Sequence, residues 1–99
     1  MLDLNAYINN SIRVKLNDKE LDVLEPSTEM LLKVDKIESD LTAENQHEKR
    51  IETVLLFLNH NAQKVSVSRE EVLKLPYEAI TILIAEVAAM RYKADADPN

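Results

Sequence analysis

The stretch HEKRI, from His47 to Ile51, begins with the residue types of a zinc protease motif. Such proteases place two histidine ligands one helical turn apart, with the intervening glutamate as general base. Here His47 and Glu48 are followed by Ile51, which occupies the position of the second histidine. One imidazole does not make this site, so we expect His47 to lie on the surface in the first turns of a helix.

Two other stretches contain reactive or ligating residue types in unsuitable patterns. Ser39 lies in ESDL, whereas the modified serine of acyl carrier proteins stands in the order Asp-Ser-Leu. Asp95, Asp97 and Asn99 have calcium-loop spacing but lack the turn glycine and the bidentate glutamate of such a loop. His60 has no nucleophile or carboxylate nearby in sequence. We expect no catalytic residue, no metal site and no cofactor.

The absence of two residue types excludes whole classes of site. The chain contains no glycine, and phosphate-binding loops, dinucleotide fingerprints and nucleophile elbows all need one, because their backbone reaches positive φ or approaches the ligand closely. It also contains no cysteine, which excludes thiol catalysis, thiolate metal sites and disulfides. The sequence therefore indicates a protein that is not an enzyme and that acts by contact.

Charge and hydropathy limit the partners. The 99 residues include 12 Lys and Arg against 18 Asp and Glu, for a net charge of −6, whereas a nucleic-acid interface needs a basic face. We expect no nucleic-acid partner. The start, MLDLNAYINN, lacks a basic region followed by an apolar run, so it does not resemble an export signal. We also expect no membrane-spanning segment and a cytoplasmic location.

The pattern of apolar residues predicts an α+β fold that is mainly α-helical, with an N-terminal β-hairpin followed by three to four helices. In SIRVKLNDKELDVL, apolar and polar residues alternate on both sides of Asn17-Asp18, as in a hairpin with one buried face. The loop has two or four residues, and both registers bury the same face. The preceding LNAYIN is expected to add an edge strand from Leu4 to Ile8. The globular domain is expected to span residues 1–92, followed by a flexible polar tail at 93–99.

Capping residues place the helices. The first helix is expected to begin near Pro26–Thr28 and to break around residues 39–45, with Thr42 as the cap of the second. The second should end near Asn59, with Asn61 in the left-handed position that glycine usually occupies. Ser68 and Glu71 form an S-x-x-E capping box. Pro76 then separates a short helix from the last one. The buried stripe of the second helix is expected to comprise Ile51, Val54, Leu55 and Leu58.

The last helix, from Tyr77 to Tyr92, carries more apolar surface than one buried stripe requires. Its few polar residues do not share a face, so the helix is either central to the domain or shared with a partner. One stripe should face the core and consists of Ile80, Leu83, Ile84 and Val87. The remaining apolar residues predict an association surface for other copies of the protein and then for a helical client, consisting of Leu56, Phe57, Tyr77, Ile82, Ala85 and Ala89.

The order of segments resembles a known family. RVKLNDKELDV, IETVLLFLNHN, VSREEVLKLPYEAITILIAEV and the closing DADPN follow one another as in the tail assembly chaperones of long-tailed phages and prophages of Gram-positive bacteria. The resemblance covers most of the chain. It implies a non-enzymatic protein that coats the tape measure protein during tail building, keeps that long helical chain soluble and helps bring tail tube protein to it.

The same resemblance implies partners and a location. They are a homo-oligomer, the tape measure and tail tube proteins, and the cytoplasm of the bacterial host. In this family a longer form is often made by a ribosomal frameshift, and the polar KADADPN is similar to the end of a short form. The alternative is another small phage structural or regulatory interaction protein, of the head–tail connector type, which only partner data would separate from a chaperone.

Overall fold

The computed structural model describes residues 1–8 and 10–96 and has the predicted α+β, mainly helical fold. An antiparallel hairpin is formed by β1 (Ser11–Leu16) and β2 (Lys19–Leu24). Leu16 pairs with Lys19, so the loop has two residues and the longer register is excluded. Asn17 adopts a positive φ of 56°, which asparagine tolerates better than most residues and which tight hairpin loops require.

The outer edge of β2 is closed by the segment that follows the second helix. The backbone N–H of Leu24 donates to the carbonyl of His60, and that of Ala62 donates to the carbonyl of Asp22, both at 2.9 Å. The side chain of Gln63 accepts from the N–H of Asp22 at 2.8 Å. The hairpin is thereby attached to the carboxyl end of the helix that packs beneath it.

Four helices follow the hairpin: α1 (Thr28–Glu38), α2 (Gln46–Asn59), α3 (Arg69–Leu73) and α4 (Tyr77–Ala96). Ser27 caps α1 through its hydroxyl, which accepts from the N–H of Met30. The expectation that Thr42 caps α2 is wrong, because Thr42 and Asn45 instead exchange side-chain-to-backbone hydrogen bonds in the turn before the helix. These reciprocal bonds hold the turn, and α2 begins only after it.

The expectation for Asn61 is also wrong. Asn61 is 5% exposed and has no positive φ; that conformation belongs to Lys64, with φ of 57°. Its side-chain amide donates to the carbonyls of Leu58 and Val65 and accepts from the N–H of Val65, at 2.8 to 2.9 Å. Asn61 therefore ends α2 through its side chain, which satisfies buried backbone groups that have no helical partner.

The capping box of α3 is confirmed, and it extends to the hairpin. The Ser68 hydroxyl accepts from the N–H of Glu71, and the Glu71 carboxylate accepts from the N–H of Ser68. The same carboxylate accepts from Lys19 Nζ at 2.7 Å. The hydrogen bond from Lys19, followed by that from the Ser68 backbone, lowers the pKa of Glu71 below its ordinary value. This contact joins the start of β2 to α3.

One hydrophobic core lies where the hairpin, α2, α3 and α4 meet. The predicted inward stripe of α4 is confirmed, with Ile80 and Val87 buried and Leu83 and Ile84 partly buried against the core. The helix passes the expected end at Tyr92 and continues to Ala96, so it includes the first residues of the segment expected to be a tail. Residues 97–99 lie outside the described residues. Up to Met90, the buried apolar residues are Leu16, Leu21, Val23, Val34, Val54, Phe57, Leu58, Val67, Val72, Ile80, Val87 and Met90.

The edge strand expected before β1 is not formed. Leu4–Tyr7 is a 3-10 helix in which no residue is buried, and Asp3 caps it by accepting from the N–H of Asn5 at 3.0 Å. This local hydrogen bonding competes with the extended conformation. We call residues 1–8 the N-terminal arm.

Candidate interaction surface

The structure separates the six residues predicted to form an association surface. Phe57 does not belong to such a surface, because it is 6% exposed and lies in the core. The buried side of α2 is wider than expected and includes Thr53, Val54, Phe57 and Leu58. The other five residues occupy three different places.

The first place is the side of α4 that points away from the core. Glu78, Ile82 and Glu86 follow one another at intervals of one turn, and all three are exposed. Ala85 is exposed beside them and Ala89 is half-buried. We call these five residues the outer face of α4. It consists of a narrow apolar strip with a carboxylate on either side of Ile82 along the helix, and no described segment covers it.

The second place is a shallow cleft at the start of α4, with a volume of about 270 Å³. Three helices form its walls, so its shape depends on the packing of α2, α3 and α4 together. Leu73 and Tyr77 are each about half exposed at its mouth. We call it the Tyr77 cleft, and it is lined by His47, Ile51, Val72, Leu73, Leu75, Tyr77 and Ile80.

Cationic and aromatic groups fix one rim of the Tyr77 cleft. The His47 and Tyr77 rings meet edge to face, with centroids 5.0 Å apart, a geometry that aromatic rings prefer. The Arg50 guanidinium lies 5.9 Å from the Tyr77 centroid, within the range of a cation–π contact. Arg69 also pairs with Glu48 and ties α3 to α2. The exposed tyrosine is thus held in place although much of it faces solvent.

The third place contains Leu56. Leu56 lines a different depression, between α1 and α2, of about 310 Å³, together with Met30, Leu55, Asn59 and His60. It is only partly buried, but it does not share a cleft with Tyr77 or with Ile82. The predicted surface is therefore not one continuous patch.

Sequence reasoning missed Leu73 and the two side chains that hold Tyr77. Leu73 ends the five-residue helix α3, which is too short to show an apolar periodicity, so its exposure had no sequence signal. The contacts of His47 and Arg50 with Tyr77 join α2 to α4, and no local pattern specifies which helix faces reach each other.

The residues considered for chemistry are placed apart from one another. His47 contacts Tyr77, and the Ser39 hydroxyl donates to the carbonyl of Lys36 at 2.8 Å. Within residues 1–8 and 10–96, no group of three or more His, Asp or Glu side chains is arranged to hold a metal ion. In the same part of the chain, no helix has the length and apolar character to cross a membrane.

Comparisons with protein-family models, with curated proteins and with solved structures found no match.

Proposed function

We propose that this protein is a non-enzymatic phage tail assembly chaperone, which binds the helical tape measure protein in the bacterial cytoplasm during tail morphogenesis. Besides the resemblance in the order of its segments, one structural observation carries the proposal. The apolar helix α4 is not enclosed by the domain: Ile82 is 53% exposed on its outer face, and the half-exposed Tyr77 lies at its start. A protein that acts by transient contact needs such uncovered apolar surface.

The outer face of α4 suits a helical client. Ala85 and Ala89 are small, so they allow another helix backbone to approach closely, while Ile82 supplies an apolar contact. Glu78 and Glu86 flank that contact and favour a client helix with Lys or Arg beside its apolar stripe. The Tyr77 cleft, a few residues away along α4, would accept one protruding aliphatic side chain of the same client.

The small size of this surface suits release as well as binding. Burying an isoleucine-sized side chain contributes roughly 1.5 to 3 kcal/mol, and a few such contacts are partly offset by the entropy lost on association. Each copy would therefore bind weakly. Many copies along a long client would keep it soluble, and tail tube protein would displace them as the tail is built.

Co-expression tests this function. A tape measure protein, as a very long helical client, would be produced in bacteria alone, with the wild-type chain, or with a variant, and its soluble fraction measured. We expect the wild-type chain to raise the soluble fraction and to co-purify with the client. Ile82→Asp and Tyr77→Asp should lose both effects while circular dichroism shows an unchanged fold.

Leu32→Asp is the matched control. Like Ile82 and Tyr77, Leu32 is a large apolar residue exposed on a helix, but it lies on α1, apart from the outer face of α4 and the Tyr77 cleft. It should behave as the wild type. A client that is equally insoluble with and without the wild-type chain would contradict the proposal, and co-purification with a completed head or tail component instead would favour a connector-type protein.

A further inference from the structure

The two edges of the hairpin differ in their hydrogen bonding. In an antiparallel ladder, two residues opposite each other either both direct their backbone N–H and C=O groups towards the partner strand or both direct them away from it. Asp22 and Leu24 face away from β1, because they bond to Ala62 and His60. Their ladder partners Arg13 and Ser11 therefore face away from β2, as does Lys15 two residues further on. Among the described residues, these three make no backbone hydrogen bond at that edge, so β1 is open where β2 is closed.

On the core-facing side of the hairpin, the residues of β1 are less completely buried than those of β2. Val14 lies opposite Leu21 and Ile12 lies opposite Val23. Leu21 and Val23 are both 0% exposed, yet Val14 and Ile12 are only half-buried. A further strand beside β1 would cover both and would bond to the free backbone groups, as strand addition does in other proteins.

The N-terminal arm has the pattern of that missing strand. Its even-numbered residues from Leu2 to Ile8 are all apolar, whereas Asp3, Asn5 and Tyr7 alternate with them. As a strand, the arm would present one apolar and one polar face. In the 3-10 conformation none of this apolar surface is used. Of the ten exposed large apolar residues within residues 1–8 and 10–90, five lie in the arm, namely Met1, Leu2, Leu4, Tyr7 and Ile8.

Charge favours the arm over another β1 strand as the occupant. Lys15 forms no ion pair with the described residues, because Glu20, which lies opposite it, is bound to Arg13. Antiparallel pairing of β1 with the β1 of a second copy would, in the registers with the greatest overlap, place Arg13 opposite Arg13 or Lys15 of that copy, and like charges in opposed positions are unfavourable. Asp3 is the acidic residue of the arm, and among the described residues no cation pairs with it.

We propose that two copies of this protein exchange their N-terminal arms, each arm forming an antiparallel strand on the open edge of β1 in the partner. The register follows from the two faces. When Leu4 lies opposite Val14, Leu2 faces Leu16 and Ala6 faces Ile12, so these three apolar residues cover the core face of β1. The same register places Asp3 opposite Lys15. Exchange between two copies makes the contact reciprocal and closed.

Exchange is favoured over docking of the arm on its own β1. The carbonyl of Asn10 accepts from the N–H of Glu25 at 2.8 Å, which continues the hairpin ladder beyond Ser11. To fold back in the register given above, the chain would have to reverse direction within residues 8–10, which include the residue that carries this bond. An exchanged arm runs on in the direction of β1 and keeps it. Unwinding the 3-10 helix costs little, because its bonds from Ala6 to Asp3 and from Ile8 to Asn5 are long, at 3.2 Å, the bond from Asn10 to Tyr7 is longer still, at 3.5 Å, and none of its residues is buried.

Sedimentation and light scattering of the full chain, from about 10 μM to 1 mM, test the exchange without any client. We expect a reversible dimer. Leu4→Asp should abolish it over this range, because a carboxylate would oppose Val14. Asn5→Asp is the matched control on the polar face and should retain the dimer, since its carboxylate would oppose Arg13. A wild type that stays monomeric at 1 mM, or a dimer that is abolished by Ile82→Asp but not by Leu4→Asp, would overturn the proposal.

Reversing the charges of Asp3 and Lys15 tests the register of the arm on β1. Asp3→Lys and Lys15→Asp should each raise the dissociation constant by about fivefold, and the double variant should return it towards the wild-type value. Equal weakening in the single and double variants would show that the two residues do not face each other and would overturn the register.

Cross-linking distinguishes exchange between copies from docking within one. The chain has no cysteine, so when a Leu4→Cys chain is mixed with a Val14→Cys chain, exchange favours the mixed disulfide over the disulfides between identical chains that random collision would also give. The two positions form a non-hydrogen-bonded pair in this register, which gives a Cα separation suited to a disulfide. We expect a covalent dimer of the two variants under mild oxidation. Absence of that dimer, together with an internal disulfide in a chain carrying both substitutions, would place the arm on its own β1 and overturn the proposal.

Discussion

Ile80 and Ile82 are two residues apart on α4, yet Ile80 is 5% exposed and Ile82 is 53% exposed. The inner face of α4, with Ile80 and Val87, packs on the core, whereas the outer face has no described partner. Both faces carry an isoleucine and other apolar residues, so the apolar character of a residue alone does not determine whether it is buried. The contacts of α4 are with α2 and β1, and they leave the outer face open.

The largest effect on stability is expected from a substitution on the inner face of α4. Ile80→Ala should lower the free energy of unfolding by about 2 to 5 kcal/mol, because it removes buried methyl groups and leaves a cavity. Ile82→Ala is the matched control, with the same chemical change in the same helix, and should alter the free energy by less than about 0.5 kcal/mol. Urea unfolding of both variants measures the difference. Equal losses would mean that the outer face is covered in solution.

Asn61 tests whether the core side also depends on polar contacts. Asn61→Ala should cost about 2 to 4 kcal/mol, because it leaves the carbonyls of Leu58 and Val65 and the N–H of Val65 without their partner in a largely buried site. Asn5→Ala, in the exposed N-terminal arm, is the control and should be close to neutral. A neutral Asn61→Ala in thermal or urea unfolding would show that water or a rearranged loop replaces the amide.

Local signals predicted the parts of the fold that local chemistry determines. The alternation around Asn17-Asp18 gave the hairpin, and the Ser68–Glu71 spacing gave the capping box. Both are decided within a few residues. Asn61 was misjudged because asparagine has two ways to end a helix, and its three hydrogen bonds depend on where the chain goes next.

Long-range packing decided what the sequence left open. Six of the eight residues from Ile51 to Leu58 are apolar, so a stripe through Ile51 and one through Phe57 were equally regular. The contacts of α2 with both β2 and α4 bury the Phe57 side as well. Of the candidate surface, the exposure of Ile82 and Tyr77 could be anticipated from an excess of apolar residues, whereas the exposure of Leu73 and the placement of Leu56 could not.

Thr53 is a polar residue of α2 within the hydrophobic core. It is almost fully buried, and its hydroxyl has no hydrogen-bond partner among the described residues, which is unfavourable for a polar group. Thr53→Val should raise the free energy of unfolding by about 1 kcal/mol. The exposed Thr28→Val serves as a control for the general effect of the exchange. A loss of stability at position 53 in urea unfolding would indicate that the hydroxyl is hydrogen-bonded in solution.

The contact between Lys19 and Glu71 gives the smallest and most specific effect, because it joins the hairpin to α3 near the surface. The folded-state pKa of Glu71 lies below its ordinary value of 4.5. The ionised Glu71 carboxylate therefore stabilises the folded state fully at pH values above its ordinary pKa, and this stabilisation is lost as the pH falls through the folded-state pKa. Glu71→Gln should be less stable than the wild type at pH 7, and the difference between their melting temperatures should shrink with acidification. Glu70→Gln, on the neighbouring exposed residue, should keep the acid sensitivity of the wild type. If Glu71→Gln loses stability in acid as steeply as the wild type, the ion pair of Glu71 with Lys19 does not contribute to the attachment of the hairpin. The hairpin would then be attached through the hydrogen bonds of residues 60–63 to β2.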